Sequence, residues 1–484
     1  MAFRDLREFV SLLENQGQLK RIKTPVSPEL EITEITDRAS KSKAGNLALL
    51  FENVTGHDLP VLTNAFGSPQ RMAWALGLED LQELTERVKS LTSPELPPSL
   101  TGKAKKGLQL LELARYTPRM VKDAPCQEVV LQGDEASLER LPILKCWPED
   151  GGPFITLPVV ITHSPVSGRR NVGMYRMQVY DSHTTGMHWH LHKGGAAHYR
   201  ESKGLGRRLE VAVAIGPDPA TTYAATAPLP PDVDEFMFAG WLRRQKLELV
   251  KAKTVDLAVP ARAEIVLEGY VKPDEARLEG PFGDHTGYYS LADMYPVFHL
   301  TAITHRRDPI YPATVVGKPP MEDFYLGKAT ERLFLPLIQL LLPEVLDLNL
   351  PAEGVFHNLA ILSIRKAYPG QARKVMCGLW GMGYLMFTKY IVVVDDDVNV
   401  RDLSEVLWRV GNNVDPRRDV TIVEGPLDAL DHSSPLVHYG AKMGLDATRK
   451  LPAEGHPREW PRDIEMSPEI KRLVDEKWAT LGLG

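Results

Sequence analysis

The chain is poor in cysteine: of its 484 residues only Cys126, Cys146 and Cys377 carry a thiol, and none belongs to a CxxC pair. That excludes a disulfide framework and makes a reducing cytosol the expected home. Positive charge is not in excess either, with 57 Lys and Arg against 63 Asp and Glu and a formal net charge of −6. No broad field therefore exists to condense onto a nucleic-acid backbone or an anionic bilayer, and no nucleic-acid partner is expected. Long apolar runs are missing too. The longest, Leu333 to Leu342, contains Pro336 and Gln339 and falls short of the roughly 18 residues that a membrane-spanning helix needs. Met1-Ala2-Phe3-Arg4-Asp5 is charged at once and lacks a secretory h-region. A cytoplasmic protein is expected, with membrane contact limited to peripheral contact at the inner membrane face. Gly-x-x-x-x-Gly-Lys-Ser/Thr and Gly-x-Ser-x-Gly are both absent, so P-loop and serine-hydrolase readings lack support.

What is present is an ordinary globular composition, 43% apolar and 25% charged, long enough for two or three domains. Phe3, Leu6, Val10 and Leu13 place an apolar stripe on a first helix that stops near Asn15-Gln16-Gly17. Pro28 to Ala39 reads as a helix, Val61 to Phe66 as a strand and Met72 to Leu84 as a helix. The clearest break is Thr92-Ser93-Pro94 with Pro97-Pro98, followed by Lys103, Lys105 and Lys106. From Cys126 to His305 the pattern turns to short β-rich runs: Phe154–Thr162, Asn171–Tyr180, Leu209–Ile215, Ala263–Val271 and Val297–Thr304. These suggest a barrel or sandwich, interrupted by a helix-like stretch from Val233 to Val250. After Pro319-Pro320 helices and strands alternate, which implies an α/β layer.

Four constellations carry functional groups. Glu279-Gly280-Pro281-Phe282-Gly283-Asp284-His285 sets two carboxylates five residues apart across two glycines and a proline, so both can face one pocket. Two acids held close push one pKa up, which would let that group deliver a proton near neutral pH; turn and cap roles are the alternative. Arg170-Asn171-Val172-Gly173-Met174-Tyr175-Arg176 reads as a strand with Asn171, Gly173 and Tyr175 on one face and Arg176 on the other. Its arginine could clamp a carboxylate or phosphate, or be a surface residue. Met187-His188-Trp189-His190-Leu191-His192-Lys193-Gly194-Gly195 alternates three histidines, which on a strand would line one face and invite a metal-dependent hydrolase reading. Lys193-Gly194-Gly195 offers a cation and backbone amides to a phosphate. Lys389-Tyr390-Ile391-Val392-Val393-Val394 is a buried strand ending in Asp395-Asp396-Asp397, read as a magnesium site or as a solvated strand end. His183, His285 and His357 stand alone and read as structural histidines.

Together with Phe3-Arg4-Asp5-Leu6, Glu264-Ile265-Val266-Leu267-Glu268-Gly269-Tyr270 and Lys442-Met443-Gly444-Leu445-Asp446-Ala447-Thr448, these segments resemble the UbiD-type decarboxylase family, which uses prenylated FMN. The resemblance runs nearly end to end and is closest to the 4-hydroxy-3-polyprenylbenzoate decarboxylase branch. It implies a mixed α/β fold: a central flavin-binding split β-barrel (121–318) flanked by an N-terminal α/β unit (1–120) and a C-terminal α/β oligomerisation domain (319–484). It implies Arg176, Glu279 and Asp284 as the catalytic set. Met174, Tyr175, Arg176, His188, Trp189, His190, Lys193, Gly194 and Lys389 are implied at the cofactor, and Asn171, His192 and Glu235 as metal ligands. His188 and His190 stand where bacterial relatives have other residue types. The implied cofactors are prenylated FMN and Mn2+ or Mg2+, with K+ a further candidate. The implied reaction is reversible, non-oxidative decarboxylation of an aromatic acid of hydroxybenzoate type, polyprenylated quinone precursors included. Other aromatic or heteroaromatic acids are the alternative. A flavin prenyltransferase would supply the cofactor, and a dimer or hexamer of identical chains is expected.

Overall fold

The computed structural model describes residues 3–42, 45–92, 112–190, 192–230 and 233–482. The compositional break expected from Ser93 to Lys106 lies outside them.

The N-terminal unit is a four-stranded sheet ordered Leu19–Ile22, Ala48–Phe51, Val61–Thr63 and Tyr311–Pro312. The first helix, Leu6–Asn15, is capped by Asp5 and buries Leu6, Phe9, Val10 and Leu13, as its apolar spacing requires. The expected helix over Met72–Leu84 is instead two, Pro69–Ala75 and Gln82–Thr92. Gly77, at φ 70°, breaks the pattern just after the first of them.

Nine strands among the described residues form the central sheet. Their neighbour order is Phe154–Ile155, Met177–Asp181, Thr184–Gly186, Asp293–His305, Ile265–Glu279, Leu209–Ile215, Pro158–His163 and Arg170–Met174, with Val129–Gln132 also paired to Asp293–His305. Every pairing is antiparallel, and the sheet curls into a split half-barrel. Alternation decides what each face buries. Val211, Val213 and Ile215 join Val160, Leu267 and Phe298 on one side. Ala212 and Ala214 join Val159, Ile161 and Val266 on the other, against Leu247, Leu249 and Val250. Those last three are on or beside the strand Glu248–Lys251, so the helical reading of Val233–Val250 holds only for Glu235–Arg243.

The run expected from Asn171 to Tyr180 is two strands, Arg170–Met174 and Met177–Asp181, lying toward opposite ends of the sheet order. Tyr175 and Arg176 span the crossing. The two longest strands, Ile265–Glu279 and Asp293–His305, run as a pair that finishes at Glu279 opposite Asp293. Between them Phe282–Gly283 pairs with Tyr289–Ser290, a small hairpin with Asp284 and His285 at its tip.

The C-terminal unit is a five-stranded sheet ordered Val345–Asn349, Leu359–Ile364, Tyr390–Asp395, Tyr439–Asp446 and Val420–Pro426. Its three middle strands are parallel and both edges antiparallel. The acids at the end of Tyr390–Asp395 are spent on structure: Asp395 accepts the Arg449 N–H at 2.8 Å, and Asp397 pairs with the Arg449 guanidinium.

Candidate active site

The site grows from the Arg176 crossing and the Glu279–Ser290 segment. Gly280 sits at φ 94°, a conformation open to glycine, and is followed by a cis bond to Pro281. Buried Asp150 fixes the hairpin from behind: one carboxylate oxygen takes the Gly283 N–H at 2.7 Å, the other those of Cys146 and Trp147. Glu279 and Asp284 therefore converge on Arg176. The guanidinium donates to Glu279 at 3.0 Å, to Asp284, and to the Ser290 hydroxyl at 3.1 Å. It lies with its carbon 4.4 Å from the centroid of the Phe282 ring, an arrangement that orients the fork and excludes water from one of its faces.

Both carboxylates are almost wholly buried. Burial alone would push Asp284 up, but the His285 hydrogen bond and charge together with Arg176 outweigh it and hold the carboxyl well below the ordinary carboxylate range. The raised pKa expected for one of the two acids is therefore not found at Asp284, because two cations face it. Glu279 is likewise lowered: burial raises it, and His188 and Arg176 outweigh burial. The proton is on the imidazole instead. Burial disfavours charged His285, yet its hydrogen bond to Asp284 and the surrounding acids raise it to about 9.

The three alternating histidines do not share a strand face. The strand ends at Gly186 and residues 187–190 have no strand pairing. His188 donates to Glu279 at 2.8 Å, and its other ring nitrogen lies 2.6 Å from His190 Nε2. Burial depresses both imidazoles, His190 to about 4. His192 turns instead toward Phe387 and His438, with ring centroids 6.0 and 6.4 Å away. Among the described residues no group of three His, Cys, Asp or Glu side chains could hold a metal, so the three-histidine hydrolase site is not formed.

A second cluster lies on the Arg170–Met174 strand. Asn171, Gly173 and Tyr175 share a face as expected: Asn171 reaches the Tyr175 hydroxyl at 3.3 Å, and a Cβ on Gly173 would meet that same hydroxyl at 2.3 Å. Arg170 grips Asp234 at 2.7 Å, and Asp234 caps the helix Glu235–Arg243. That clamp delivers Glu235 to the strand, where it accepts the Val172 N–H and burial pushes its carboxyl up to about 7. One of its oxygens is buried with no hydrogen-bond partner. Gly194, where a Cβ would fall 1.9 Å from the Asn171 carbonyl oxygen, opens the helix Gly194–Gly204 with Lys193 as its N-cap. The Trp189 indole N–H, edge-on to Tyr175, is also buried without a partner. A carboxylate oxygen and an indole donor left over in one place, beside a helix N-terminus, fit an absent cation and an absent acceptor group.

Met174 and Lys389 do not join these clusters through their contacts. Met174 packs into the apolar core. Lys389 pairs with Asp431 at 3.0 Å and with Ser433, in the loop that also carries Asp428. Three groups were missed: Ser290, Tyr295, whose ring is tilted against His188 with centroids 4.3 Å apart, and His357. His357 Nε2 lies 2.8 Å from His285 Nε2, so neither histidine stands alone in the structure. The Asp-His pair in the hairpin was visible in sequence, but no local signal could have brought His357 to it.

Three family models match the chain, described as the 3-octaprenyl-4-hydroxybenzoate carboxy-lyase N-terminal domain over residues 10–91, the Rift-related domain over 119–319 and the C-terminal domain over 324–447. An uncharacterized protein of Archaeoglobus fulgidus is 57% identical over 482 residues, covering 99% of this chain and 98% of that one. Among solved structures, the closed form of vanillic acid decarboxylase from Sedimentibacter hydroxybenzoicus is 31% identical, covers 100% of both chains and superposes with a TM-score of 0.85. An evolved dimeric form of the UbiD-class enzyme HmfF from Pelotomaculum thermopropionicum, in complex with prFMN, is 31% identical with a TM-score of 0.81, covering 98% of this chain and 100% of that one.

Proposed function

This chain belongs to the UbiD family of carboxy-lyases, and from that premise we propose that it catalyses the reversible, non-oxidative decarboxylation of an aromatic acid with prenylated FMN and a divalent metal. The observation that carries the proposal is the partly buried Arg176 guanidinium held between the buried carboxylates of Glu279 and Asp284. A fork of that kind, held in place by two buried carboxylates, is suited to take a third carboxylate in two parallel hydrogen bonds.

When bound, prenylated FMN supplies the electron sink for the pair released with CO2. Tyr175, the Trp189 indole N–H and the Lys193-Gly194 helix start would hold it, with His188 and His190 beside Glu279. Asn171 and Glu235 would hold the metal, an oxygen set that suits Mn2+ or Mg2+, and His192, turned toward Phe387 and His438 in this structure, would have to swing in to add one imidazole.

The chain's own residues then divide the work. Arg176 turns its fork to the substrate carboxylate and fixes it for departure. Glu279 stays bonded to His188 and keeps Arg176 in place. Asp284, losing part of the cation that depresses it, can accept a proton and hand it to the ring carbon. On this reading residues 121–318 hold the cofactor, residues 1–120 and 319–484 flank it, and a flavin prenyltransferase supplies the prenylated flavin. The substrate class is a hydroxybenzoate-type acid, with a polyprenylated quinone precursor first among candidates and other aromatic or heteroaromatic acids the second reading.

The test is CO2 release from vanillate, 4-hydroxybenzoate and a prenylated 4-hydroxybenzoate by protein co-produced with a flavin prenyltransferase. Release that disappears in Arg176→Met supports the proposal. Loaded enzyme that releases no CO2 from a panel of aromatic and heteroaromatic acids contradicts it.

A further inference from the structure

Decarboxylation consumes one proton per turnover at carbon, yet Asp284, the group placed to deliver it, is held ionised by Arg176 and His285. The proton must be stored somewhere else. His285 is next in sequence, and its Nδ1 lies 2.8 Å from Asp284 Oδ1, which also accepts the His285 backbone N–H at 2.7 Å. Its other ring nitrogen reaches across to the C-terminal unit and meets His357 Nε2 at 2.8 Å.

We propose that Asp284, His285 and His357 form a triad in which His285 stores the proton that Asp284 delivers and His357, from the C-terminal unit, positions it. This rests on the decarboxylase reading of Asp284. The hydrogen-bond directions follow from the chemistry of the groups. A carboxylate only accepts, so His285 donates from Nδ1; a charged imidazole also donates from Nε2, so His357 accepts there as a neutral ring. His357 is suited to that part, since burial and the neighbouring His285 charge lower it to about 4. Its own Nδ1 is buried with no partner, and Phe356 packs within 5.4 Å of the His285 ring centroid.

Other charges facing the triad have the matching sign. Asp323, at the start of the helix Glu322–Leu341, and Asp428, after the strand Val420–Pro426, both favour a charged His285. In the proton-delivery step the His285 Nδ1–H bond breaks and an O–H bond forms on Asp284. That bond breaks in turn as the C–H bond forms, and the electron pair comes from the carbon that lost CO2. His285 is left neutral until solvent restores its proton. His285 and His357 are thus positioning residues that act through Asp284.

The test is histidine NMR on 15N-histidine-labelled protein without cofactor, so it stands apart from the decarboxylase reading. In the wild type the His285 ring should titrate at least one unit above the ordinary 6.5. Asp284→Asn should bring it to 6.5 or below. His357→Phe should lower it by at least one unit, and His357→Gln, which keeps an acceptor, should recover most of that loss; circular dichroism checks that each variant is folded. A wild-type His285 that titrates at or below 6.5 overturns the proposal, as does a folded His357→Phe with an unchanged midpoint. If the triad is found but no aromatic acid is decarboxylated, the decarboxylase reading fails alone.

Discussion

Arg176 donates from Nε to Glu279 Oε1 at 3.0 Å, and the same oxygen accepts His188 Nδ1–H at 2.8 Å. Glu279 Oε2 is left buried without a partner. One oxygen therefore anchors two donors, and the network is asymmetric by construction. Removing Arg176 would strand two buried carboxylates. Arg176→Met should cost about 3–5 kcal/mol of stability, as breaking a buried pair does, and abolish turnover; chemical denaturation and CO2 release check the two effects. Arg176→Lys should keep part of the stability and little of the activity, because an ammonium cannot reproduce the fork.

Asp284→Asn should eliminate turnover while leaving cofactor content unchanged, since Asp284 contacts Arg176 and His285 rather than the Asn171–Glu235 cluster. Flavin absorbance per chain measured alongside CO2 release separates the two. A fully active variant would remove Asp284 from the mechanism.

The expected metal site was only partly legible. Asn171, Gly173 and Tyr175 could be placed on one face because strand alternation holds through Met174. Glu235 could not be found from spacing, since it reaches the site through the Arg170–Asp234 clamp and a helix start about sixty residues further along the chain. Mn2+ at 100 times its dissociation constant should stabilise the protein by about 2.7 kcal/mol. Glu235→Gln should abolish most of that gain in a thermal melt. Gly194→Ala should do the same by pushing its Cβ into the Asn171 carbonyl.

The histidines show where periodic reasoning stops. His188, His190 and His192 would line one face only on a strand, and the backbone leaves the sheet after Gly186, so period-two reasoning no longer applies. His285 and His357 stood alone in sequence and meet only because the segment before the strand Leu359–Ile364 brings Phe356 and His357 to the hairpin. The first helix was legible because its apolar period alone fixes it; the contacts between domains carry no such period.

The stability of the protein should fall as pH rises from about 6.5 through about 9, measured by the thermal midpoint in the absence of metal. The sign follows from His285, raised to about 9 in the folded chain against roughly 6.5 when unfolded. Its contribution is complete below the unfolded value and is lost as pH climbs through the folded one. In His285→Asn the slope across that window should flatten.

The most direct measurement is the mass and absorption spectrum of the cofactor released from protein co-produced with a flavin prenyltransferase. Prenylated FMN at about one per chain is the predicted result, and its loading should fall in Glu235→Gln. A protein that binds no flavin under those conditions would contradict the assignment of the Arg176 network to a prenylated-flavin decarboxylase.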